Sequence, residues 1–340
     1  MDPTTQSFTV SGSSAKKWVA CENISEFMHF PAFYAVNHQY LIVLAGSPAN
    51  QPRSIGNQTI SIEQQKQLKA RALIKENRIM KLTTVQHKQP LENLAPAGRI
   101  GVIALATDFN IEVDLYRLYP SDVQFFTSRV KNVNPLTIEN LRTMAPGISM
   151  AADTILPGVE LDAIIYACTS GTIAIGVDRI AELVHEVRPG VAVINPVTAA
   201  LSAFQRFGAK RISILTPYTE AVNQEIAKFF TSQGHEVLTI AGFGFEDDTA
   251  MTYITPQDIR DAAIDCCDPD AELLFISCTA LRASLVLDEI EQRLGIPVVS
   301  TNQALAWASL QLVRYPMAVN DFGALLREHL TTDRARTEPI

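Results

Sequence analysis

Two cysteines lie at equivalent places in two similar stretches of the sequence. Cys168 ends the apolar run in "YACTSGTIAIG", Cys278 ends the apolar run in "ISCTALRAS", and Thr279 begins a turn like the one after Cys168. A thiolate can take a proton from carbon or add to carbon as a nucleophile. A lone buried cysteine could equally be a small packing residue. Two matched copies instead predict a site in which both thiols are catalytic.

The residues after Cys168 suit a negatively charged ligand and an ionised thiol. Thr169 and Ser170 supply hydroxyl groups at the expected start of a helix, whose unpaired N–H groups and positive dipole end attract anions. Gly171 would let the backbone approach a ligand closely. The same surroundings are expected to lower the pKa of the Cys168 thiol.

Strand-like and helix-like segments alternate from Arg99 onward. The runs "RIGVIALAT", "VQFFTSRV" and "LDAIIYAC" are expected strands, and a helix is expected from about Thr137 to Leu156. From Arg211, "RISILTPY", "HEVLTIAGFG" and "AELLFISC" repeat the plan. This pattern predicts an α/β fold of two similar lobes, each a parallel sheet covered by helices.

The duplication also predicts where the thiols meet. Ligands of open parallel sheets bind at the carboxyl ends of the strands. Two such edges that face each other would place Cys168 and Cys278 on opposite sides of one cleft.

The chain divides into four expected regions. Residues 1–79 are interpreted as a doubtful N-terminal extension, either disordered or preceding a true start at Met80, with a genuine small appendage as the alternative. Residues 80–200 form the first lobe with Cys168, and residues 201–302 form the second lobe with Cys278. Residues 303–340 are expected to be C-terminal helices that pack back on the first lobe.

Composition narrows the function classes. The net charge of −8 argues against a nucleic-acid partner or an anionic membrane surface. No apolar stretch reaches the roughly 20 residues of a membrane span. Five cysteines, an odd count without an export signal, favour reduced thiols in the cytoplasm. The sequence shows no zinc-ligand spacing and no nucleotide-binding glycine motif, so no metal or cofactor is expected.

The motifs together resemble a known superfamily. "YACTSGT", "ISCTALRAS", "IGVIALATDFNIEVD", "LTPYTEAVN" and "GIPVVSTNQA" are similar to the Asp/Glu racemase superfamily, in the branch of maleate isomerase, arylmalonate decarboxylase and the ectoine-utilisation protein EutA. The resemblance runs from about Arg99 to Arg327 and is nearest to EutA-type sequences. It implies a cofactor-independent enzyme of two flavodoxin-like lobes, related by a pseudo-twofold axis, with the active site between them.

The resemblance also implies roles for the two cysteines. In racemases of the superfamily one thiolate takes an α-proton and the other thiol returns one from the opposite face. In maleate isomerase the first cysteine adds to the double bond, whereas arylmalonate decarboxylase keeps only the cysteine of the second lobe. The presence of both Cys168 and Cys278 therefore argues against a decarboxylase of that type.

One loop departs from the family pattern. Maleate isomerase is expected to hold a substrate carboxylate with an asparagine where "LATDFN" places Asp108, beside Thr107. An ionised aspartate would repel a second carboxylate and favour a cationic or N–H-bearing group. The alternative is that Asp108 simply caps the following helix. On that helix, Glu112 and Asp114 are expected to lie on a solvated face.

Other polar residues are candidate walls of the site. The resemblance implies that Tyr218 donates to a substrate carboxylate. The remaining candidates end the fourth strand of each lobe, with helix capping as the alternative; they are Asn195, Thr198, Ser300 and Asn302. Thr107 is a further candidate for contact with the substrate.

The sequence thus predicts a two-cysteine isomerase or racemase that acts next to the carboxylate of a small substrate. The EutA resemblance favours ectoine, hydroxyectoine or a diaminobutyrate derivative. Cis–trans isomerisation of maleate through a cysteine adduct is one alternative, and a non-catalytic small-molecule-binding protein is another. An edge strand or exposed helix could support a homodimer.

Overall fold

The computed structural model describes residues 34–35, 41–42, 61–63, 66–67 and 82–330. The chain separates into two units, residues 1–88 and residues 89–340. In the first unit, strands β1 (Tyr34–Ala35) and β2 (Leu41–Ile42) pair antiparallel, and residues 62–63 and 66–67 are helical. The expectation of an N-terminal extension therefore falls mostly outside the described residues.

The second unit begins with a four-stranded parallel sheet in the order β4-β3-β5-β6. Its strands are β3 (Gly98–Leu105), β4 (Val123–Val130), β5 (Ala163–Ala167) and β6 (Ala192–Ile194). The helices between and after these strands are α1 (Ile111–Leu118), α2 (Ile138–Arg142), α3 (Ala145–Thr154), α4 (Thr169–Ile175), α5 (Val177–His185) and α6 (Pro196–Phe207). Every residue of β5 is buried, as expected of a strand covered on both faces.

A second parallel sheet follows in the order β10-β9-β7-β8. Its strands are β7 (Arg211–Tyr218), β8 (Glu236–Phe245), β9 (Leu273–Ile276) and β10 (Val298–Ser300). Its helices are α7 (Glu220–Ser232), α8 (Asp248–Met251), α9 (Pro256–Cys266), α10 (Leu287–Leu294), α11 (Thr301–Leu312) and α12 (Ala324–Glu328), with a 3₁₀ turn at Ala283–Leu285. In each sheet the first strand in sequence lies between the second and the third. The predicted α/β fold with two similar parallel sheets is confirmed.

One local expectation needs correction. The single helix expected between Thr137 and Leu156 is two helices, α2 and α3. Thr137 caps α2. Pro146 lies in the first turn of α3, which is the part of a helix where proline is tolerated, so a new helix begins here.

Helix α11 connects the two halves of the second unit. It packs on α6 and α1 of the first half, and most of its residues are buried. Trp307 donates from Nε1 to the carbonyl of His329 at 2.9 Å, which ties α11 to the end of α12. Within the described residues, none of the helices has the length and apolar character needed to cross a membrane.

Candidate active site

The carboxyl ends of β5 and β9 bring the two cysteines to one cavity. Cys168 follows β5 directly, Cys278 follows β9 after one residue, and both side chains are buried. The cavity has a volume of about 10 Å³, roughly the room that one water molecule needs. Its other lining residues are Leu105, Asp108, Ser170, Tyr218, Asp248, Thr279 and Ala280. All of them except Leu105, Asp248 and Ala280 belong to the set predicted from the sequence.

Cys168 is positioned by the backbone of its own helix. It is the N-cap residue of α4, and its Sγ accepts a hydrogen bond from the Gly171 amide at 3.2 Å. A Cβ at Gly171 would come within 2.8 Å of that sulfur and 2.7 Å of the Tyr166 hydroxyl. Gly171 therefore makes room for protein side chains, and it does not line the cavity as expected.

The electrostatics of the site oppose ionisation of both thiols. Burial raises the pKa of Cys168 to about 12, and the nearby Asp248 carboxyl adds to this rise. The Gly171 amide and Ser170 lower the pKa, but by less. Burial and Asp248 also raise the pKa of Cys278. The expectation of a lowered Cys168 pKa was wrong, because desolvation exceeds the stabilisation from one helix terminus.

Cys278 is positioned by contacts from elsewhere in the fold. Its amide donates to Thr301 Oγ1 at 3.0 Å, and its Sγ accepts from the Ala280 amide at 3.4 Å. The next carbonyl, of Thr279, accepts hydrogen bonds at 2.9 Å from the side-chain amides of Asn110 and Asn302. A loop and a 3₁₀ turn follow, so no helix starts at this cysteine.

Asp108 both caps a helix and lines the cavity. Its Oδ1 accepts from the amides of Asn110 at 2.8 Å and Ile111 at 3.0 Å, at the start of α1. Its Oδ2 is buried and has no hydrogen-bond partner among the described residues. Burial raises the pKa of this carboxyl, although Thr279 beside it opposes the rise. Asp108 therefore caps the helix with Oδ1, and only Oδ2 remains to contact a ligand.

Asp248 is the lining residue with chemical function that the sequence did not reveal. It begins α8, just beyond β8. Its Oδ2 accepts from Asn132 Nδ2 at 2.7 Å and from Thr107 Oγ1 at 3.2 Å. Burial raises its pKa to about 6, and the nearby Asp108 and Asp247 add to the rise. Thr107, predicted to contact substrate, instead holds this carboxyl. The only available signal was an acidic residue after a strand.

Tyr218 supplies a hydroxyl at the carboxyl end of β7. The side chain is buried and lies beside Cys278 and Ser170. Burial raises the pKa of Tyr218 well above its usual value, which keeps the phenol protonated. Tyr218 and Ser170 are therefore neutral hydrogen-bond donors inside the cavity.

Several predicted wall residues lie outside the cavity lining. Asn195 caps α6 by accepting from the Thr198 amide at 3.0 Å, and Ser300 caps α11 in a capping box with Gln303. The hydroxyl of Thr169 pairs with that of Thr301 at 3.2 Å. The capping alternative describes Asn195 and Ser300, because each ends a strand and starts a helix.

Asp114 is not on a solvated face as expected; its side chain is fully buried. Its Oδ1 accepts from Ser284 Oγ at 2.7 Å, and its Oδ2 accepts from Asn302 Nδ2 at 2.8 Å and Asn110 Nδ2 at 3.2 Å. Asn110 and Asn302 are the residues that hold the Thr279 carbonyl. Asp114 thus orients the supports of the Cys278 loop, and Asn302 acts there rather than in the cavity wall.

The cavity combines two thiols, three hydroxyl-bearing residues and two carboxyls. None of its lining residues is lysine, arginine or histidine. In the described part of the chain, no group of three histidine, cysteine or acidic residues is arranged to hold a metal ion.

Known proteins resemble this chain in sequence. A family model described as Amdase, arylmalonate decarboxylase, matches residues 100–326. The arylmalonate decarboxylase of Bordetella bronchiseptica is 27% identical over 125 residues, which span 36% of this chain and 52% of that relative. A maleate isomerase of Geobacillus stearothermophilus is 22% identical over 250 residues, which span 68% of this chain and 98% of the relative.

A solved structure has the same fold. The maleate cis–trans isomerase of Nocardia farcinica, a cysteine-to-serine mutant with a covalently bound succinylcysteine intermediate, superposes with a TM-score of 0.63 at 20% identity. The alignment covers 68% of this chain and 98% of the isomerase chain.

Proposed function

The chain belongs to the arylmalonate decarboxylase family, and from this membership we propose that it is a cofactor-independent isomerase. Cys168 and Cys278 would exchange a proton at the carbon next to the carboxylate of a small substrate. The observation that carries the proposal is that loops from two separate sheets place both thiols in the lining of one small cavity.

The reaction needs one thiolate and one thiol. The thiolate takes the α-proton, so that the C–H bond breaks, an S–H bond forms and the electron pair moves into the carboxylate to give an enediolate. The second thiol then gives its proton to the opposite face of the carbon and becomes a thiolate. Proton balance is complete, and the two cysteines have exchanged protonation states.

Neutral donors would stabilise the enediolate. The hydroxyls of Tyr218, Ser170 and Thr279 line the cavity, and hydrogen bonds to them strengthen as negative charge grows on the carboxylate oxygens. Their protons do not leave at neutral pH, since the pKa of a buried tyrosine such as Tyr218 is raised.

Asp108 supports a substrate that also carries an N–H group. Its buried Oδ2 has no partner in the described residues, and an N–H donor on the substrate would satisfy it. Ectoine, hydroxyectoine or a diaminobutyrate derivative has both a carboxylate and such a group. The EutA-like "ACTSGT" segment also supports this choice.

A second candidate is cis–trans isomerisation of maleate. It is favoured by relatives named maleate isomerase, one with a succinylcysteine intermediate. A thiolate would add to one alkene carbon, the C–C bond would rotate, and elimination would restore the thiolate and the double bond. A second carboxylate would face the Asp108 carboxyl, so this candidate ranks below the first.

Proton NMR in D₂O tests the proposal. The full chain is incubated separately with ectoine, hydroxyectoine, N-acetylated diaminobutyrate and maleate. We expect loss of an α-proton signal with one of the first three, and in Cys168→Ser we expect this exchange to be abolished for one enantiomer of that substrate. Cys266→Ser is the matched control, because that thiol lies outside the cavity lining. Conversion of maleate to fumarate would select the second candidate, and no reaction with all four would contradict both.

A further inference from the structure

The cavity is lined by acidic side chains and by no basic ones, which is opposite to what a site for dianions requires. Asp108 and Asp248 both line it, and no basic side chain does. A substrate with two carboxylates would bring further negative charge to this pair. A ligand with a positive charge would be attracted by both.

The two carboxyls are held from outside the cavity by their other oxygen. Oδ1 of Asp108 is occupied by the amides of Asn110 and Ile111, and Oδ2 of Asp248 is occupied by Asn132 and Thr107. Asp108 Oδ2 is buried without a hydrogen-bond partner in the described residues, with the Thr279 side chain near this carboxyl. The hydrogen bonds that Asp248 accepts from the described residues end on its Oδ2. One acceptor oxygen on each of two loops is therefore open to a ligand.

We propose that Asp108 and Asp248 form a cation subsite and that Asp248 is a specificity residue for substrates carrying an N–H-bearing cation such as an amidinium. The proposal rests on the proposed function for the reacting centre and adds the group that the substrate must carry beside it. An amidinium is planar and presents N–H donors along two edges. Two carboxylate oxygens on different loops would each accept from one of these donors.

The cation would also activate the thiols. The carboxyls of Asp248 and Asp108 each raise the pKa of Cys168 and Cys278. A positive charge placed between these carboxyls offsets their effect and favours the thiolate. The substrate would therefore supply the positive charge that the lining residues lack, and without that charge both thiols stay protonated.

Two nearly isosteric probes test the subsite. Succinate and 3-amidinopropionate differ in one end group, a carboxylate in the first and an amidinium in the second. Isothermal titration calorimetry on the full chain measures the affinity for each. We expect 3-amidinopropionate to bind at least about tenfold more tightly than succinate, the scale of one charge-assisted hydrogen bond.

Asp248→Asn removes the charge but keeps an oxygen that can accept from Asn132 and Thr107. We expect this variant to bind 3-amidinopropionate about tenfold or more weakly than the unchanged protein does. Its affinities for 3-amidinopropionate and succinate should then be similar. Asp247→Asn is the control: the neighbouring carboxyl lies outside the cavity lining and caps α8, a role that asparagine also fills. It should change either affinity by no more than about twofold.

If Asp248→Asn fails to fold, the affinities of the unchanged protein for the two probes still test the proposal. Equal affinity for both probes, tighter binding of succinate, or no binding of either would overturn the proposal. The same holds for an Asp248→Asn protein that folds and retains the preference. Thiol-dependent α-proton exchange would survive each of these results, so failure of the subsite and failure of the proposed function are distinguishable.

Discussion

The loops that carry Cys168 and Cys278 start alike and are held in different ways. Each follows a buried parallel strand, but the first continues at once into α4, whose Gly171 amide contacts the sulfur. The second is held by side chains from α1 and α11, through Asn110 and Asn302. One thiol is thus positioned by local backbone and the other by tertiary contacts. Loss of a contact distant in sequence should therefore displace Cys278 more than Cys168.

The largest expected effect separates the chemical roles of the two loops. Cys168→Ser and Cys278→Ser should each slow enantiomer interconversion by about 10³-fold, because a proton must leave one face and return to the other. Proton NMR in D₂O should then show α-proton exchange for one enantiomer only, and a different enantiomer in each variant. Exchange of the same enantiomer in both would show that the thiols do not serve opposite faces.

A second test addresses how the Cys278 loop is held. Asp114→Ala leaves the donors of Asn110, Asn302 and Ser284 without their buried acceptor. We expect the free energy of unfolding to fall by about 3 to 5 kcal/mol, measured by urea denaturation.

The same variant should uncouple the two loops. Alkylation by iodoacetamide, followed by peptide mass spectrometry, should speed up at Cys278 more than at Cys168. Glu112→Gln, on the partly exposed part of α1, is the control and should alter neither rate. Equal acceleration at both cysteines would contradict the contrast between the loops.

A third test concerns the Asp248 carboxyl, which raises the pKa of both Cys168 and Cys278. The pKa of Asp248 is raised to about 6 in the folded protein, from 3.8. A raised carboxyl pKa stabilises the fold below pH 4 and loses this contribution as pH rises through 6. Asp248→Asn should therefore gain about 3 kcal/mol in unfolding free energy relative to the unchanged protein between pH 4 and pH 8. Urea denaturation at both pH values measures it, and a pH-independent difference would contradict the burial of this charge.

The smallest expected effect is confined to the first loop. Gly171→Ala places a Cβ too close to the Cys168 sulfur and the Tyr166 hydroxyl. We expect a loss of about 1 to 2 kcal/mol of unfolding free energy from overpacking. Thermal unfolding by circular dichroism measures the loss, and alkylation at Cys278 should stay unchanged. A faster reaction at Cys278 would mean that the loops are coupled.

The fold was predictable where neighbouring residues in the sequence determine the structure. Buried parallel strands such as β5 appear as continuous apolar runs, so their positions and their repeat can be read directly. The two cysteines were predictable for the same reason, since each sits where such a run ends. Asp108 could also be predicted as a site residue, because the carboxyl end of the first strand is a usual place for ligand contacts.

The remainder depends on which residues meet across the fold. Asp248 joins the site because Thr107 and Asn132, distant in sequence, hold it there. Asp114 shares a helix with exposed residues, and only contact with Ser284 and Asn302 shows that it is buried. Nothing in a single sequence reports desolvation, so the rise in thiol pKa could not be anticipated.

The size of the cavity has a consequence for how a substrate reaches the two thiols. Its volume of about 10 Å³ is roughly the room that one water molecule needs. A substrate of several heavy atoms would therefore require the loops that carry Cys168 and Cys278 to move apart. Return of the loops would then exclude water from the reacting carbon and strengthen the hydrogen bonds to it.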